Sequence, residues 1–366
     1  MTNTPRFIMI GGFLGAGKTT TIARLANHYR TRGMHVAIVT NDQAVGLVDT
    51  NLLRAQGFNV GEVAGSCFCC NFNELTSTVE RLGEGERPDV ILAEPVGSCT
   101  DLVATVIRPL QQIYAQPFDI SPFGVIIKPS HGLKILKRTG QGGFSPQAEY
   151  IFRKQIEEAD FIILNRIDEL TEPEIDEICQ LVEEQFPGRP IVKTSAKTGV
   201  GCDDLIERFE SSSEFGQRSI DVDYDVYAIG EAELGWLNAE VVISADTPFD
   251  LDRVLLDLVS ELQQALANEN AETAHLKVIG MCDGQYGVAN VVSNATPPAV
   301  SLAAETQTQH VEIVVNARVA IDPQQLEQAV RNVVSQIAAR IGGQAEVRSL
   351  QSFRPGRPVP TYRLEQ

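Results

Sequence analysis

Several features are scarce or missing in this 366-residue sequence, and each absence excludes a class of function. No apolar run approaches the roughly 20 residues that a membrane-spanning helix requires, so no membrane partner is expected. The 30 Lys and Arg are outnumbered by 48 Asp and Glu, and the formal net charge of −18 repels nucleic-acid backbones. No signal-peptide pattern precedes the first strand-like run. We therefore expect a cytoplasmic protein that binds neither membranes nor nucleic acid.

Cysteine and histidine are also sparse, apart from one cluster considered below. The seven cysteines, an odd number, favour reduced thiols in the cytoplasm over a disulfide framework. The five histidines are scattered and form no paired ligand set. Four cysteines stand alone in the sequence and are interpreted as packing residues: Cys99, Cys179, Cys202 and Cys282.

The length of the chain predicts two domains. Up to about residue 210, short β-branched runs alternate with amphipathic stretches, which predicts a doubly wound, mostly parallel α/β sheet with ligands at the carboxyl ends of its strands. A polar segment without periodicity then precedes a β-α-β-β-α-β pattern with one strand to spare, close to an α+β ferredoxin-like unit. The predicted boundaries are 1–212 for the first domain, 213–222 for a linker, 223–350 for the second domain and 351–366 for an extended tail.

The most informative motif follows the strand-like run Arg6–Ile10. It fills every position of G-x-x-x-x-G-K-[ST] between a strand and a helix. Its glycines let backbone N–H groups point at a phosphate, Lys18 would contact the β- and γ-phosphates, and Thr19 would hold Mg²⁺. The alternative is a glycine-rich turn without a ligand. The nucleotide-binding residues predicted here are Gly12, Gly15, Ala16, Gly17, Lys18, Thr19 and Thr20.

Two later elements indicate that the base is guanine. Asn165, Arg166 and Asp168 end a strand in an N-K-x-D-like pattern with Arg in the Lys position. The Asp168 carboxylate can accept hydrogen bonds from guanine N1–H and N2–H₂ together, an arrangement that adenine does not offer, and Arg166 would lie along the base. The alternative for Asp168 is a strand-end turn with a helix cap. The backbone that would donate to guanine O6 follows the next strand, at Ser195, Ala196 and Lys197.

Two acidic positions complete the predicted catalytic side. Asp42, followed by Gln43, comes after the second strand and could reach Mg²⁺ directly or through water. Glu94 begins an E-x-x-G turn, whose Gly97 can direct its N–H toward a γ-phosphate. The alternative for either acid is a solvated position at the end of a strand. Lys18, Asp42, Gln43 and Glu94 are therefore the predicted catalytic residues.

Three thiols lie within four residues, at Cys67, Cys69 and Cys70, between a strand-like run and a helix. Thiolates are soft ligands that suit Zn²⁺ and its neighbours. The cluster supplies two or three ligands rather than a closed tetrahedral set. The remainder could come from a carboxylate such as Glu62, from a second subunit or from water, and such an open shell suits metal transfer. The alternative is a set of small, buried, apolar cysteines.

In combination, the phosphate loop, the cysteine cluster, E-x-x-G and N-R-I-D resemble the CobW-type P-loop GTPases of metal homeostasis, which are related to hydrogenase and urease nickel-insertion GTPases. The resemblance covers about residues 6–210. It implies a doubly wound P-loop GTPase sheet with a smaller C-terminal domain, and a Mg²⁺-dependent GTPase that carries Zn²⁺ or Co²⁺ as cargo. It also implies a client metalloprotein or corrinoid-pathway protein, and dimerisation through the nucleotide face. Asp42 replaces the family's usual Glu, and Arg166 replaces its Lys.

The leading hypothesis is GTP hydrolysis that switches metal affinity. Gln43–Asp49 and Glu94–Gly97 would be ordered by the γ-phosphate and released after hydrolysis. The motifs contain no arginine finger, so turnover without a partner is expected to be slow. Two alternatives stay open, namely a small-molecule kinase of the same fold and a regulatory GTP switch that uses no metal.

Overall fold

The chain divides into two compact units. A computed structural model describes residues 4–43, 48–137, 144–211, 215–216 and 218–365. The first unit comprises Met1–Gln43, Gln56–Gly230 and Arg357–Gln366, and the second comprises Ala44–Ala55 and Glu231–Gly356. Among the described residues, no helix combines the length and the apolar character needed to span a bilayer.

Eight short strands form the parallel sheet of the first unit, in the order β3-β2-β4-β1-β6-β7-β8, with β5 beside the start of β1. Their bounds are β1 (Arg6–Gly12), β2 (Val36–Asn41), β3 (Asn59–Val63), β4 (Val90–Glu94), β5 (Asp119–Ile120), β6 (Gly124–Ile127), β7 (Phe161–Leu164) and β8 (Ile191–Lys193). Every residue of β4, β6 and β7 is buried, which agrees with their continuous apolar runs. The predicted doubly wound parallel sheet is confirmed.

Within the described ranges, the α-helices are α1 (Lys18–Thr31), α2 (Val48–Ala55), α3 (Phe72–Leu82), α4 (Arg108–Gln112), α5 (Pro129–Leu136), α6 (Pro146–Glu158), α7 (Glu172–Gln185), α8 (Cys202–Glu210), α9 (Tyr224–Ala232), α10 (Leu251–Asn268) and α11 (Pro323–Arg340). The amphipathic pattern of Asp101–Ala115 predicts one helix, but a π-helical turn, Val103–Ile107, precedes α4 there. The Val103 N–H donates to the buried Glu158 carboxylate at 3.2 Å. This tertiary hydrogen bond fixes the first turn of the segment, and sequence periodicity does not report it.

An antiparallel sheet of six strands forms the second unit, in the order β12-β11-β10-β13-β9-β14. Its strands are β9 (Gly235–Asp250), β10 (Thr273–Cys282), β11 (Gln285–Val291), β12 (Ala299–Leu302), β13 (Gln307–Val319) and β14 (Gly343–Phe353). The apolar faces of α10 and α11 share one core with this sheet. Without β11 and β12, the elements follow the predicted β-α-β-β-α-β order. Two strands are additional rather than one, because β12 pairs with β11 at the edge of the sheet.

The helix α2 belongs to the second unit, although it lies between β2 and β3 in sequence. Its first residue, Val48, is fully buried in a cluster with Ile279, Val288 and Val314. The Val48 N–H donates to the Asn316 Oδ1 at 2.7 Å, and the Lys277 Nζ lies 2.5 Å from the Asp49 Oδ1. The units are thus not contiguous along the chain. The predicted boundary at residue 212 and the linker 213–222, parts of which lie outside the described residues, stay predictions.

Candidate functional site

The phosphate loop connects β1 to α1 and has a backbone that only glycine accommodates at two positions. Gly12 has φ +136°, and a Cβ there would lie 2.4 Å from the Ile126 carbonyl oxygen. Gly17 has φ +101°, and its Cβ would lie 2.4 Å from the Asn165 Nδ2. The Lys18 ammonium folds back and donates to the Gly12 carbonyl at 2.9 Å. A loop of this shape directs backbone N–H groups toward one point at the N-terminus of α1, which suits a phosphate.

The turn after β4 lies directly against the phosphate loop. The Thr19 hydroxyl donates to the Glu94 Oε1 at 3.0 Å, and both residues are buried. A Cβ on Gly97 would lie 2.7 Å from Leu14 and 3.0 Å from the Lys18 Nζ. Hydroxyl and carboxylate oxygens are the ligands that Mg²⁺ prefers, so this pair fits a magnesium ion beside the phosphates. The structure therefore brings together Lys18, Thr19, Glu94 and Gly97, four of the predicted site residues.

One buried amide connects the phosphate loop to the predicted base-binding segment. The Asn165 Nδ2 donates to the Ala16 carbonyl at 2.9 Å, and its Oδ1 accepts from the Ala196 N–H at 3.0 Å. From α1, the Arg24 guanidinium donates to the carbonyls of Ala196 at 2.7 Å and Lys197 at 2.9 Å. Arg24 was not predicted as a site residue, because its partners are backbone carbonyls that leave no motif in the sequence.

Asp168 lies in an exposed 3₁₀ turn, Ile167–Glu169, just after β7. The following helix, α7, is capped by Thr171, whose backbone N–H donates to the Glu174 Oε2 at 2.8 Å. Asp168 is therefore not the cap of α7, which was the alternative interpretation. Arg166 has φ +64° and pairs with Glu169 at 2.9 Å. The roles of Asp168 and Arg166 toward a base stay predictions.

The cysteine turn joins β3 to α3 and gathers three sulfur atoms. The Cys67 Sγ lies 2.9 Å from the Cys69 Sγ and 3.1 Å from the Cys70 Sγ, and the last two are 3.8 Å apart. Cys67 and Cys69 are buried, whereas Cys70 is partly exposed. Sulfur atoms bonded at about 2.3 Å to a tetrahedral Zn²⁺ lie about 3.8 Å from one another. The two shorter sulfur–sulfur distances would therefore have to widen by about 1 Å or less for the ion to bind.

The residue before Asp42 holds the cysteine turn in place. The Asn41 Nδ2 donates to the carbonyls of Val63 and Ser66, both at 2.8 Å, and its Oδ1 accepts from the Phe68 N–H at 2.8 Å. Asn41 was not assigned a role from the sequence. Its position at the end of a buried strand, next to a candidate catalytic acid, was the available signal.

Two predicted residues at this edge have less defined surroundings. Asp42 is partly buried, and its N–H donates to the Val63 carbonyl at 3.2 Å, which places it beside β3. Glu62 lies on β3, but among the described residues the group of donor atoms within 4.8 Å of one another comprises only Cys67, Cys69 and Cys70. The roles of Asp42, Gln43 and Glu62 stay predictions, and most of the predicted mobile segment Gln43–Asp49 lies outside the described residues.

A fourth thiol contacts the cluster. Cys99 is buried, and its thiol is a hydrogen-bond partner of both Cys67 and Cys69. Hydrogen bonds from neighbouring thiols lower the pKa of Cys67 well below its ordinary value. The largest contribution comes from Cys69, and smaller ones come from Cys70 and Cys99. Hydrogen bonding with Cys67 raises the pKa of Cys69, and raises that of Cys70 to about 12. The cluster therefore favours a thiolate at Cys67, and Cys99 does not stand alone as the sequence suggested.

The order of these parts along the parallel sheet corresponds to a known family. The CobW/HypB/UreG nucleotide-binding domain model matches residues 6–193, which is more than half of the chain. The chain belongs to the CobW/HypB/UreG family. The resemblance drawn from the motifs is confirmed.

Individual relatives of this CobW/HypB/UreG protein are distant. The zinc chaperone YeiR of Escherichia coli K12 is 29% identical over 178 residues, which cover 47% of this chain and 49% of YeiR. The urease accessory protein UreG 2 of Bradyrhizobium sp. BTAi1 is 27% identical over 213 residues, 55% of this chain and 88% of UreG 2. The chain thus spans about half the length of YeiR and most of UreG 2.

Two solved structures are similar in part. Nickel-bound HypB from Helicobacter pylori has a TM-score of 0.41 and 17% identity, covering 58% of this chain and 93% of HypB. Zn(II)-bound YjiA GTPase from Escherichia coli has a TM-score of 0.35 and 14% identity, covering 91% of this chain and 99% of YjiA.

The C-terminal tail of the CobW/HypB/UreG protein lies on its cysteine turn. The Val359 N–H donates to the Cys70 Sγ at 3.2 Å. The Thr361 N–H donates to the Cys69 carbonyl at 2.8 Å, and its hydroxyl donates to the Cys70 carbonyl at 2.9 Å. The tail therefore covers the partly exposed sulfur of the cluster, a contact that the expected extended conformation allows but does not predict.

Two buried carboxyl groups lie beside the turn that carries Cys99. The Asp101 Oδ2 accepts from the Tyr224 hydroxyl and from the Arg363 Nε, each at 2.7 Å, yet burial raises the Asp101 pKa. Glu158 is completely buried, and desolvation raises its pKa well above the ordinary value, although the Thr100 hydroxyl donates to it at 3.2 Å. Neither acid belongs to a motif, so no sequence pattern predicted a role for Asp101 or Glu158.

Proposed function

We propose that this CobW/HypB/UreG protein binds and hydrolyses GTP, and that the bound nucleotide controls the loading and delivery of a thiolate-bound cation. The cargo would be Zn²⁺ or Co²⁺, and the recipient a client metalloprotein or a corrinoid-pathway protein. One observation carries the proposal: the sulfur cluster contacts two turns at the carboxyl ends of the strands, and one of them, Glu94–Gly97, lies against the phosphate loop. Asn41, beside Asp42, holds the cysteine turn, and Cys99 follows the Glu94–Gly97 turn.

Hydrolysis would use residues that are already close together. Lys18 would exchange the Gly12 carbonyl for β- and γ-phosphate oxygens and neutralise their charge. Thr19 and Glu94, 3.0 Å apart, would hold Mg²⁺ directly or through water. When bound, that ion would supply positive charge that offsets the negative charge of the phosphates. Asp42, Gln43 or Glu94 would orient the attacking water. Because none of the motifs supplies an arginine finger, we expect slow turnover without a partner.

Base selection would rest on Asp168. Its carboxylate is exposed at the carboxyl end of β7, where a base can reach it, and it can pair with N1–H and N2–H₂ of guanine. Asn165 would set the distance between base and phosphates, since it bonds to Ala16 and Ala196 at once. The Ala196 and Lys197 backbone, held by Arg24, would face the guanine O6.

Metal binding would rest on the thiolate chemistry of the cysteine turn. Cys67 already favours the charged form, and Cys69 and Cys70 would lose their protons when a cation binds. Sulfur ligands select Zn²⁺ and similar soft cations over Mg²⁺, so cargo and cofactor would occupy separate sites. The proposal includes a homodimer through the nucleotide face, which the family resemblance implies.

The test uses the full-length protein under reducing conditions. Calorimetric titration with Mg²⁺ should show tighter binding of GTP than of ATP, and equal affinities would refute the guanine assignment. Elemental analysis should find Zn²⁺ whose stoichiometry changes when a non-hydrolysable GTP analogue is added. The triple variant C67S/C69S/C70S should lose the metal, whereas the matched control C179S on α7 should keep it. Absence of metal in both nucleotide states would favour a metal-independent GTP switch.

A further inference from the structure

Cys99 has the surroundings of a ligand rather than those of a packing residue. It is 1% exposed, and its thiol is hydrogen-bonded to the thiols of Cys67 and Cys69. A cysteine that only fills space needs no sulfur partner, whereas Cys99 faces two other thiols. The three thiols that lie within 4.8 Å of one another do not include Cys99, so a closed tetrahedral set of four around Zn²⁺ requires the Cys99 sulfur to move closer to them.

The backbone that carries Cys99 is joined to that of Gly97. Its N–H donates to the Val96 carbonyl at 2.9 Å, which closes a tight turn. Its carbonyl accepts from the Gln155 Nε2 at 2.9 Å, and the same amide donates to the Gly97 carbonyl at 3.0 Å. Gln155 is itself buried on α6. The sulfur is therefore presented from a preorganised turn, as an effective metal ligand requires.

The same turn contacts the nucleotide side of the site. Glu94 accepts the Thr19 hydroxyl at 3.0 Å, and a Cβ on Gly97 would lie 3.0 Å from the Lys18 Nζ. Cys99 follows Gly97 by two residues, so a movement of Gly97 toward a γ-phosphate displaces the sulfur as well. Small displacements at such turns are the usual way in which a γ-phosphate changes a distant surface.

We propose that Cys99 is the fourth thiolate ligand of the cation bound by Cys67, Cys69 and Cys70, and that it couples this cation to the nucleotide. With Cys99 engaged the sulfur shell is closed, and with Cys99 withdrawn it has three ligands and an open position. A closed shell retains the metal, and an open position admits a ligand from the client. This inference rests on the proposed function, since it requires that the cysteine turn binds a metal.

The first measurement needs no substitution. X-ray absorption at the zinc edge of the full-length, Zn²⁺-loaded protein should count four sulfur neighbours without nucleotide. With Mg²⁺ and a non-hydrolysable GTP analogue, the count should fall to three. Three sulfur neighbours in both states would overturn the assignment of Cys99, and four in both states would overturn the coupling to the nucleotide. If the wild-type protein binds no metal, the proposed function fails rather than this inference alone.

The second measurement compares C99S with C202S, which removes a buried thiol at the start of α8 in the same unit. With Co²⁺ as probe, the thiolate-to-metal absorption of C99S should fall by about a quarter, one ligand of four, and should no longer respond to the GTP analogue. Zn²⁺ affinity measured against a chelator should fall at least about a hundredfold, because losing a second-shell partner already costs 10–100-fold. The C202S spectrum should match wild type. A C99S spectrum and affinity equal to those of C202S would overturn the proposal, and thermal melts of both variants check that they fold.

Discussion

Asn165→Ala offers the sharpest test of how the nucleotide site is built. The substitution removes two buried hydrogen bonds, of 2.9 Å to the Ala16 carbonyl and 3.0 Å from the Ala196 N–H. Each backbone group left without a hydrogen-bond partner costs about 1–3 kcal/mol. Water that enters the vacated space can partly replace the amide, so we expect a total loss for the two groups of about 2 kcal/mol. If that loss is borne by nucleotide binding, affinity falls roughly 30-fold.

Two substitutions should differ in how they change the affinities for GTP and ATP. Because Asn165 touches no base in our proposal, and Arg24 still holds the Ala196 and Lys197 backbone in the variant, the affinities for GTP and ATP should fall by similar factors in calorimetric titrations. Asp168→Ala is the matched variant. It removes the acceptor for two guanine donors, each hydrogen bond to a charged group being worth about 1.5–3 kcal/mol, so GTP affinity should fall roughly 10²–10⁴-fold while ATP affinity stays nearly constant. If Asp168→Ala weakens both nucleotides equally, or Asn165→Ala weakens only GTP, the division of roles is wrong.

Three further outcomes follow from the structure. Burial raises the Glu158 pKa, so the native state keeps this carboxyl proton to a higher pH than the unfolded state does. The free energy of unfolding should therefore decrease as the pH rises above the ordinary carboxyl pKa, by up to about 1.4 kcal/mol per pH unit. Urea melts of Glu158→Gln should lack this slope, and a slope equal to that of wild type would contradict the assignment. Lys277→Met removes the 2.5 Å ion pair with Asp49, so the opening free energy of α2 measured by amide hydrogen exchange should fall by about 2 kcal/mol. Unchanged protection from exchange would show that α2 does not depend on this ion pair. Deleting residues 357–366 should destabilise the protein by about 3 kcal/mol, because the buried Asp101 loses its partner Arg363. The same deletion should make Cys70 react faster with a maleimide. Equal reactivity in both proteins would show that the tail does not cover the Cys70 sulfur.

Sequence patterns predicted most of the fold because they reflect local requirements. The β-branched runs of β4, β6 and β7 are buried on both faces, and the helix after the phosphate loop begins at Lys18 as expected. The glycines of that loop are required by positive φ angles and by carbonyl and amide groups within 3 Å of a Cβ. Such constraints act on one residue and its immediate neighbours, so they leave a recognisable motif.

The π-helical turn, the second extra strand and the placement of α2 were not predicted, because each depends on a distant partner. Val103 bonds to Glu158, β12 pairs with β11, and Val48 packs among strand residues more than 200 positions away. Periodicity reports that a face is apolar, but not which surface covers it.

The candidate site shows the same division. By itself, the sequence determined the phosphate loop, the three-cysteine turn and the family, because phosphate and soft metals demand particular residue types at short spacing. Only the tertiary structure decided that Asn41 holds the cysteine turn, that the tail covers Cys70 and that Cys99 joins the sulfur cluster. These contacts join residues that are separated along the chain and meet only where parallel strands end at a common edge, and no local pattern records such a meeting.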